Sequence, residues 1–136
     1  MIMNYMIFLT LFFPTESIKS TAYSNDLILG TWTDCNHELL IQCYKKNDRY
    51  FGKIIWVENS KHKGMPLDEN EKFWINYQVM KDFEFVNGRW INGRIIDIKN
   101  HKSYEAFITV INPNAINVTG FIWLPIFSNS SKFYRV

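Results

Sequence analysis

The chain has 136 residues, enough for one domain with a single sizeable core. Its formal charge is +2, with Lys and Arg spread among acids along its length, which excludes the dense basic stripe of a general nucleic-acid binder. Aromatic residues make up 17%, a share that favours β-strands, where flat rings cover a pleated surface.

The first stretch differs in kind from the rest. An uncharged apolar run from Met6 to Phe13 is followed by Pro14 and a polar stretch from Thr15 to Ser20. It is too short to cross a bilayer but has the length of a signal-peptide core, although no Lys or Arg precedes it. Ala22 and Ser24 form an A-x-A-like cleavage site, so residues 1–24 are expected to be a signal peptide and 25–136 the exported domain. The bland alternative is a buried N-terminal strand or helix. Cleavage there removes Glu16 and Lys19 and leaves the charge at +2. An exported chain with Cys35 and Cys43 raises the question of a disulfide. A tight turn at Asn36-His37 would set the two thiols several rungs apart, which argues against the bond.

From Asp26 onward the sequence reads as strands joined by turns, with no long amphipathic helix. About eight strands are expected, near 30–35, 38–45, 49–57, 74–86, 89–98, 103–111, 115–123 and 131–136. Asn87-Gly88 and Asn92-Gly93 carry the type I′ turn signal, and Lys99-Asn100-His101 and Asn112-Pro113-Asn114 are further turn clusters. Leu39, Ile41 and Cys43 share one strand face; so do Tyr104, Ala106, Ile108 and Val110, and Ile116, Val118, Gly120 and Ile122. Short links imply a meander, and eight antiparallel strands remove their exposed edges by closing into an up-and-down barrel. A barrel of that size either fills with side chains or holds one small ligand. The one long connection, Glu58 to Lys72, reads either as a lid over the mouth or as a solvated loop with a helical turn at Asp68–Lys72.

Gly30-x-Trp32 on the first strand and Arg135 beside the C-terminus resemble the closed end of lipocalin-like proteins. Trp is the best cation–π acceptor, and the planar Arg fork can stack upon it. Gly30, Trp32 and Arg135 are therefore expected to close one end of the barrel. A closer resemblance covers nearly all of 25–136. It rests on Gly30-x-Trp32; on "CYKKNDRYFGKIIW" with Cys43, Gly52, Ile54 and Trp56; on Pro66-Leu67-Asp68 and Asn70; and on "NGRWINGRIIDIKNHKSYEA" with Trp90, Gly93, Ile95, Asp97, Lys102 and Tyr104. Thr119-Gly120-Phe121 and the Phe133-Tyr134-Arg135 ending complete it. The chain is similar to the secreted bacterial family called domain of unknown function 2147, and the resemblance implies a lipocalin-like fold and export but no reaction. Phe51 stands where that family usually has a second Cys, Ile96 and Ile98 replace an aromatic and a Pro beside the Asp, and His101 replaces a turn Gly.

No catalytic motif emerges, and an enzyme is not expected. His37, His62 and His101 show no metal-ligand spacing, so no metal and no cofactor are expected. Asp97 and Tyr104 flank a turn and can approach across the hairpin. Asp97 there is either a ligand contact or a turn-stabilising residue at the rim. Trp56, Tyr77, Asp97, Tyr104 and Trp123 are the expected cavity lining. The expectation is a periplasmic or secreted barrel binding a small, mostly apolar ligand. Neither nucleic acid nor a transmembrane segment in the mature chain is expected, and no protein partner is identified. The alternative is a packed barrel that serves as an envelope or extracellular interaction module.

Overall fold

The computed structural model describes residues 23–58, 69–97, 102–121 and 128–136. The expected signal peptide, but for Tyr23 and Ser24, lies outside them, as does the stretch 59–68 of the long connection. Among the described residues eight antiparallel strands run in sequence order round one closed barrel. They are β1 (Gly30–Asp34), β2 (Leu39–Lys46), β3 (Arg49–Val57), β4 (Gln78–Val86), β5 (Arg89–Asp97), β6 (Lys102–Asn112), β7 (Ala115–Phe121) and β8 (Ser128–Arg135). β1 closes the ring by pairing with β8, with Trp32 opposite Arg135.

The turns follow from their residues. Asn47-Asp48 and Asn87-Gly88 both have positive φ at each position, as a tight hairpin between right-twisted strands requires. Asn114 donates its amide to the Asn112 side chain, which forms the turn between β6 and β7. Asn92-Gly93 is different: although Asn92 has φ 57°, the pair makes no turn but lies inside β5, where the register shifts between Trp90 and Gly93. The same left-handed preference serves a bulge there. Gly93 has to lack a side chain, because a Cβ would sit 2.3 Å from the Phe83 ring.

Two other boundaries depart from the expected pattern. A helix, α1 (Glu69–Trp74), occupies the residues before β4, so that strand begins at Gln78 rather than at 74. Asn76, at φ 66°, ends the helical stretch. Its amide and the Tyr77 carbonyl then bond to Ile54, bringing the chain back onto β3. Trp74, Ile75 and Tyr77 pack against the core, and that burial outweighs the strand preference of their side chains. β8 begins at Ser128 rather than 131, because its register against β7 extends to the pair Phe121–Ser128.

Before β1 a 3-10 turn, Asn25–Ile28, plugs one end of the barrel with the fully buried Ile28. Ser24 caps it: its hydroxyl accepts the Asp26 amide at 3.1 Å and its carbonyl accepts the Leu27 amide at 3.0 Å. A chain beginning at Asn25 lacks that cap, and should be less stable than one beginning at Tyr23 by about 1 kcal/mol. Denaturant unfolding of the two truncated forms measures the difference.

The closed end is built on Trp32 and Arg135. The Arg135 guanidinium carbon lies 4.4 Å from the Trp32 ring centroid. Its nitrogens donate to the carbonyls of Leu29 (3.1 Å), Leu27 (2.5 Å) and Pro113 (3.3 Å). The Trp32 indole N–H donates to the Ile28 carbonyl at 2.8 Å. Gly30 runs at φ 124°, and a Cβ there would lie 3.1 Å from an Arg135 nitrogen. Gly30, Trp32 and Arg135 thus form one fitted group rather than three separate features. Tyr50, Phe83, Trp90 and Ile108 are each at most 1% exposed. The rings of Tyr50, Phe85 and Trp90 meet edge-on or tilted.

Candidate functional site: the open half of the barrel

Because strands alternate in direction, the ends of β1, β3, β5 and β7 share the far rim with the starts of β2, β4, β6 and β8. Among the described residues that half is not filled. A cavity of about 480 Å³ opens there, floored by Trp32 and walled by aliphatic side chains that include Ile41, Ile54, Met80, Ile95, Ile116 and Val118. Alternation along each strand turns these residues inward. Its polar lining comes from the rim: Asp34, Glu38, Asp97, Tyr104, Asn129 and Ser131. Gly120 widens the wall, since a Cβ there would meet the end of Ile95 at 2.7 Å.

The expected lining residues divide three ways. Asp97 and Tyr104 both line the cavity, contributed by β5 and β6. Trp56 does not: it is 43% exposed, while Ile54 and Val57 are buried on the same strand. The cause is a register shift between Leu40 and Ile41, which makes Leu40 face Trp56 but Ile41 face Ile54. One extra residue on β3 reverses parity, and Val57 takes the inward place assigned to Trp56. Tyr77 is also outside the lining, placed where the chain leaves α1, with its ring 6.1 Å from that of Phe73. Trp123 lies outside the described residues, as do His62 and His101.

Sequence reasoning missed Asp34, Glu38, Asn129 and Ser131. The acidic pair had a detectable signal. Asp34 precedes the turn Cys35–His37, and its carboxylate accepts the amides of Glu38 (2.8 Å) and Leu39 (3.2 Å), as an Asp at a turn commonly does. That bonding holds the side chain at the rim.

Cys35 and Cys43 are both free thiols, Cys35 exposed and Cys43 buried. Cys43 pairs with Gly30 at the start of β1, whereas Cys35 follows the end of that strand, so the strand's length separates them. Burial pushes the Cys43 thiol from its ordinary 9.0 up to about 12, against a smaller opposing effect of the Arg135 charge. The unfolded chain would ionise this thiol near its ordinary 9.0 and the folded chain only near 12. Its stabilising contribution is therefore complete below the first value and lost as pH rises to the second. Tyr50 is shifted in the same direction, chiefly by burial, so Cys43→Ala should weaken the alkaline loss of stability without abolishing it. Denaturation midpoints of both proteins across that pH range provide the check. At about pH 8, iodoacetamide should modify Cys35 in the native protein and Cys43 only after unfolding.

Among the described residues no group of His, Cys, Asp and Glu is arranged to hold a metal ion. No described helix is long and apolar enough to cross a membrane. No curated protein matches the chain in sequence. Among solved structures it is similar to a protein from the human pathogen Helicobacter pylori, HP1028, described as belonging to the lipocalin family. The TM-score is 0.62 over 80% of this chain and 82% of that one, at 10% identity, a likeness of fold. The sequence pattern of one family matches residues 30–135, which is the whole barrel from the first residue of β1 to the last of β8. The chain therefore belongs to the family of uncharacterised proteins conserved in bacteria, DUF2147, and folds as a lipocalin-like barrel.

Proposed function

We propose that this protein is an exported binding barrel that holds a small, mostly apolar ligand in the open half of its interior. The observation that carries the reading is the cavity itself. Its volume of about 480 Å³ falls within the range of roughly 300–1,000 Å³ common to small-molecule sites. Aliphatic walls with a few polar groups at one end suit a ligand with an apolar body. A packed interaction module needs no such space, because large rings like those at the closed end would fill it. The reading assigns binding and no reaction. Export to the periplasm or beyond is part of the proposal and rests on the apolar run Met6–Phe13 and the small residues that follow.

Native mass spectrometry tests it, on protein purified without detergent from a secreting host. The expected spectrum shows a reproducible adduct that is lost on denaturation, on a chain cleaved near residues 22–24. A bare chain, unmoved by a mixture of lipids and metabolites, would overturn the binding reading in favour of an interaction module. An uncleaved chain would overturn export alone.

A further inference from the structure

Much of the cavity wall is stiff. Ile41, Ile54, Ile95, Ile116 and Val118 line it, and a β-branched side chain is restricted at its first torsion. Met80 is different. It is 5% exposed and is the one long unbranched apolar side chain among the described lining residues, with the freely rotating bonds and soft sulfur that let methionine fill irregular gaps. Its register partner on β3 is Gly52, and Gly52 in turn faces Cys43 on β2. Cys43 and Met80 both line the cavity, whereas Gly52 between them does not. Met80 covers it: a Cβ on Gly52 would lie 2.8 Å from the Met80 sulfur and 3.1 Å from the Met80 Cβ. Both the base and the sulfur of the side chain thus occupy the place where a side chain at position 52 would begin, and Met80 lies along the wall instead of standing into the cavity. Gly120 gives Ile95 a comparable resting place, but Gly120 stays in the lining and Ile95 is β-branched. Among the described lining residues, Met80 is where a flexible side chain rests on bare backbone.

We propose that Met80 sets the breadth of ligand the cavity admits. Lying on Gly52, it leaves room for a ring-bearing apolar body. Raised, it fills that room and leaves space for a single chain, regaining with a slender ligand the contacts that an open gap forfeits. The glycine permits the first arrangement, because a side chain at position 52 and Met80 cannot share the same place. This rests on the binding reading above and gives that ligand its class by shape: apolar bodies that carry rings, with single chains also held. The stiff wall supplied by Ile41, Ile54, Ile116 and Val118 fixes the remaining sides of the cavity, so the choice between broad and slender falls to one side chain.

The test compares 1-dodecanol with cyclododecanol, neutral alcohols of equal carbon number and unequal breadth. Isothermal titration calorimetry with the full mature protein as titrant reads each affinity. The wild type should bind both. Gly52→Ala lifts Met80 and should weaken cyclododecanol at least about tenfold, while 1-dodecanol changes by less than about threefold. Adding Met80→Ala to Gly52→Ala removes the lifted side chain and should return cyclododecanol to within about threefold of the wild type. Circular dichroism confirms that the variants fold. If Gly52→Ala does not, Met80→Ala alone serves, and should raise the affinity for cyclododecanol relative to 1-dodecanol at least about threefold. Equal effects on the two alcohols in Gly52→Ala, no recovery in the double variant, or an unchanged ratio in Met80→Ala overturns the proposal and leaves the binding reading intact. So does a wild type that binds 1-dodecanol and not cyclododecanol. A wild type that binds neither overturns both.

Discussion

Trp32→Ala should lower the free energy of unfolding by about 3–5 kcal/mol, placing it among the most damaging single substitutions in the chain. Three losses combine. Trp32 is 1% exposed and is among the largest fully buried side chains, so truncation removes a large apolar group and leaves a void. That void joins an existing one, because Trp32 floors the cavity, and a floor with empty space on one side has little chance to collapse inward. The Ile28 carbonyl loses its indole donor, and the Arg135 guanidinium loses the ring it lies against. The 3-10 plug at Asn25–Ile28 is then held to the barrel by the Arg135 bonds to Leu27 and to the adjoining Leu29 and by the Lys45–Asp26 ion pair. Trp32→Phe separates the terms, keeping a ring but no N–H, and should cost about 1–2 kcal/mol. Urea denaturation of the wild type and both variants measures them. A loss below about 1 kcal/mol for the alanine variant would show that the closed end contributes little to stability.

The closed end was also the most legible part of the sequence, and the reason is physical. Gly30, Trp32 and Arg135 act through conformational freedom, ring size and a planar cation, properties that belong to the residue type and need no register to be read. Hairpins at Asn87-Gly88 and Asn112–Asn114 were legible for the same reason. The cavity lining was only half legible. Alternation correctly grouped Ile41 with Cys43 and Ile116 with Val118. Trp56 is among the expected lining residues, and an irregularity near Leu40 turns it outside. A bulge is a property of two paired strands, and one strand's sequence does not display it. Asn92-Gly93 shows the converse, a turn signal used within a strand because Phe83 needs the space. Of the aromatic residues expected in the lining, Trp56, Tyr77, Tyr104 and Trp123, the described residues place Tyr104 alone there. Tyr50, Phe83 and Trp90 pack beneath the cavity, and smaller aliphatic residues enclose it.

Val118→Trp should abolish binding of the neutral fluorophore N-phenyl-1-naphthylamine in the cavity, a loss of at least about a hundredfold, while the protein remains folded. Val118 lies in the middle of β7, is 7% exposed and lines the cavity. Its strand neighbours across the sheet are Ile108 and Ser131. A larger side chain in a close-packed core forces its neighbours aside and destabilises it. Here the added ring extends into empty space, so it gains contacts that Val118 lacks and displaces the ligand without displacing the wall. The stability change and the affinity change should therefore run in opposite directions, with unfolding free energy held or raised while affinity falls. That opposition is the diagnostic. A merely misfolded variant loses both, and a surface site for the fluorophore loses neither. Fluorophore titration with urea denaturation of the same preparation reads the two quantities together. Val118→Ala supplies the reverse case, a larger cavity that costs about 1–3 kcal/mol in stability and still binds the probe.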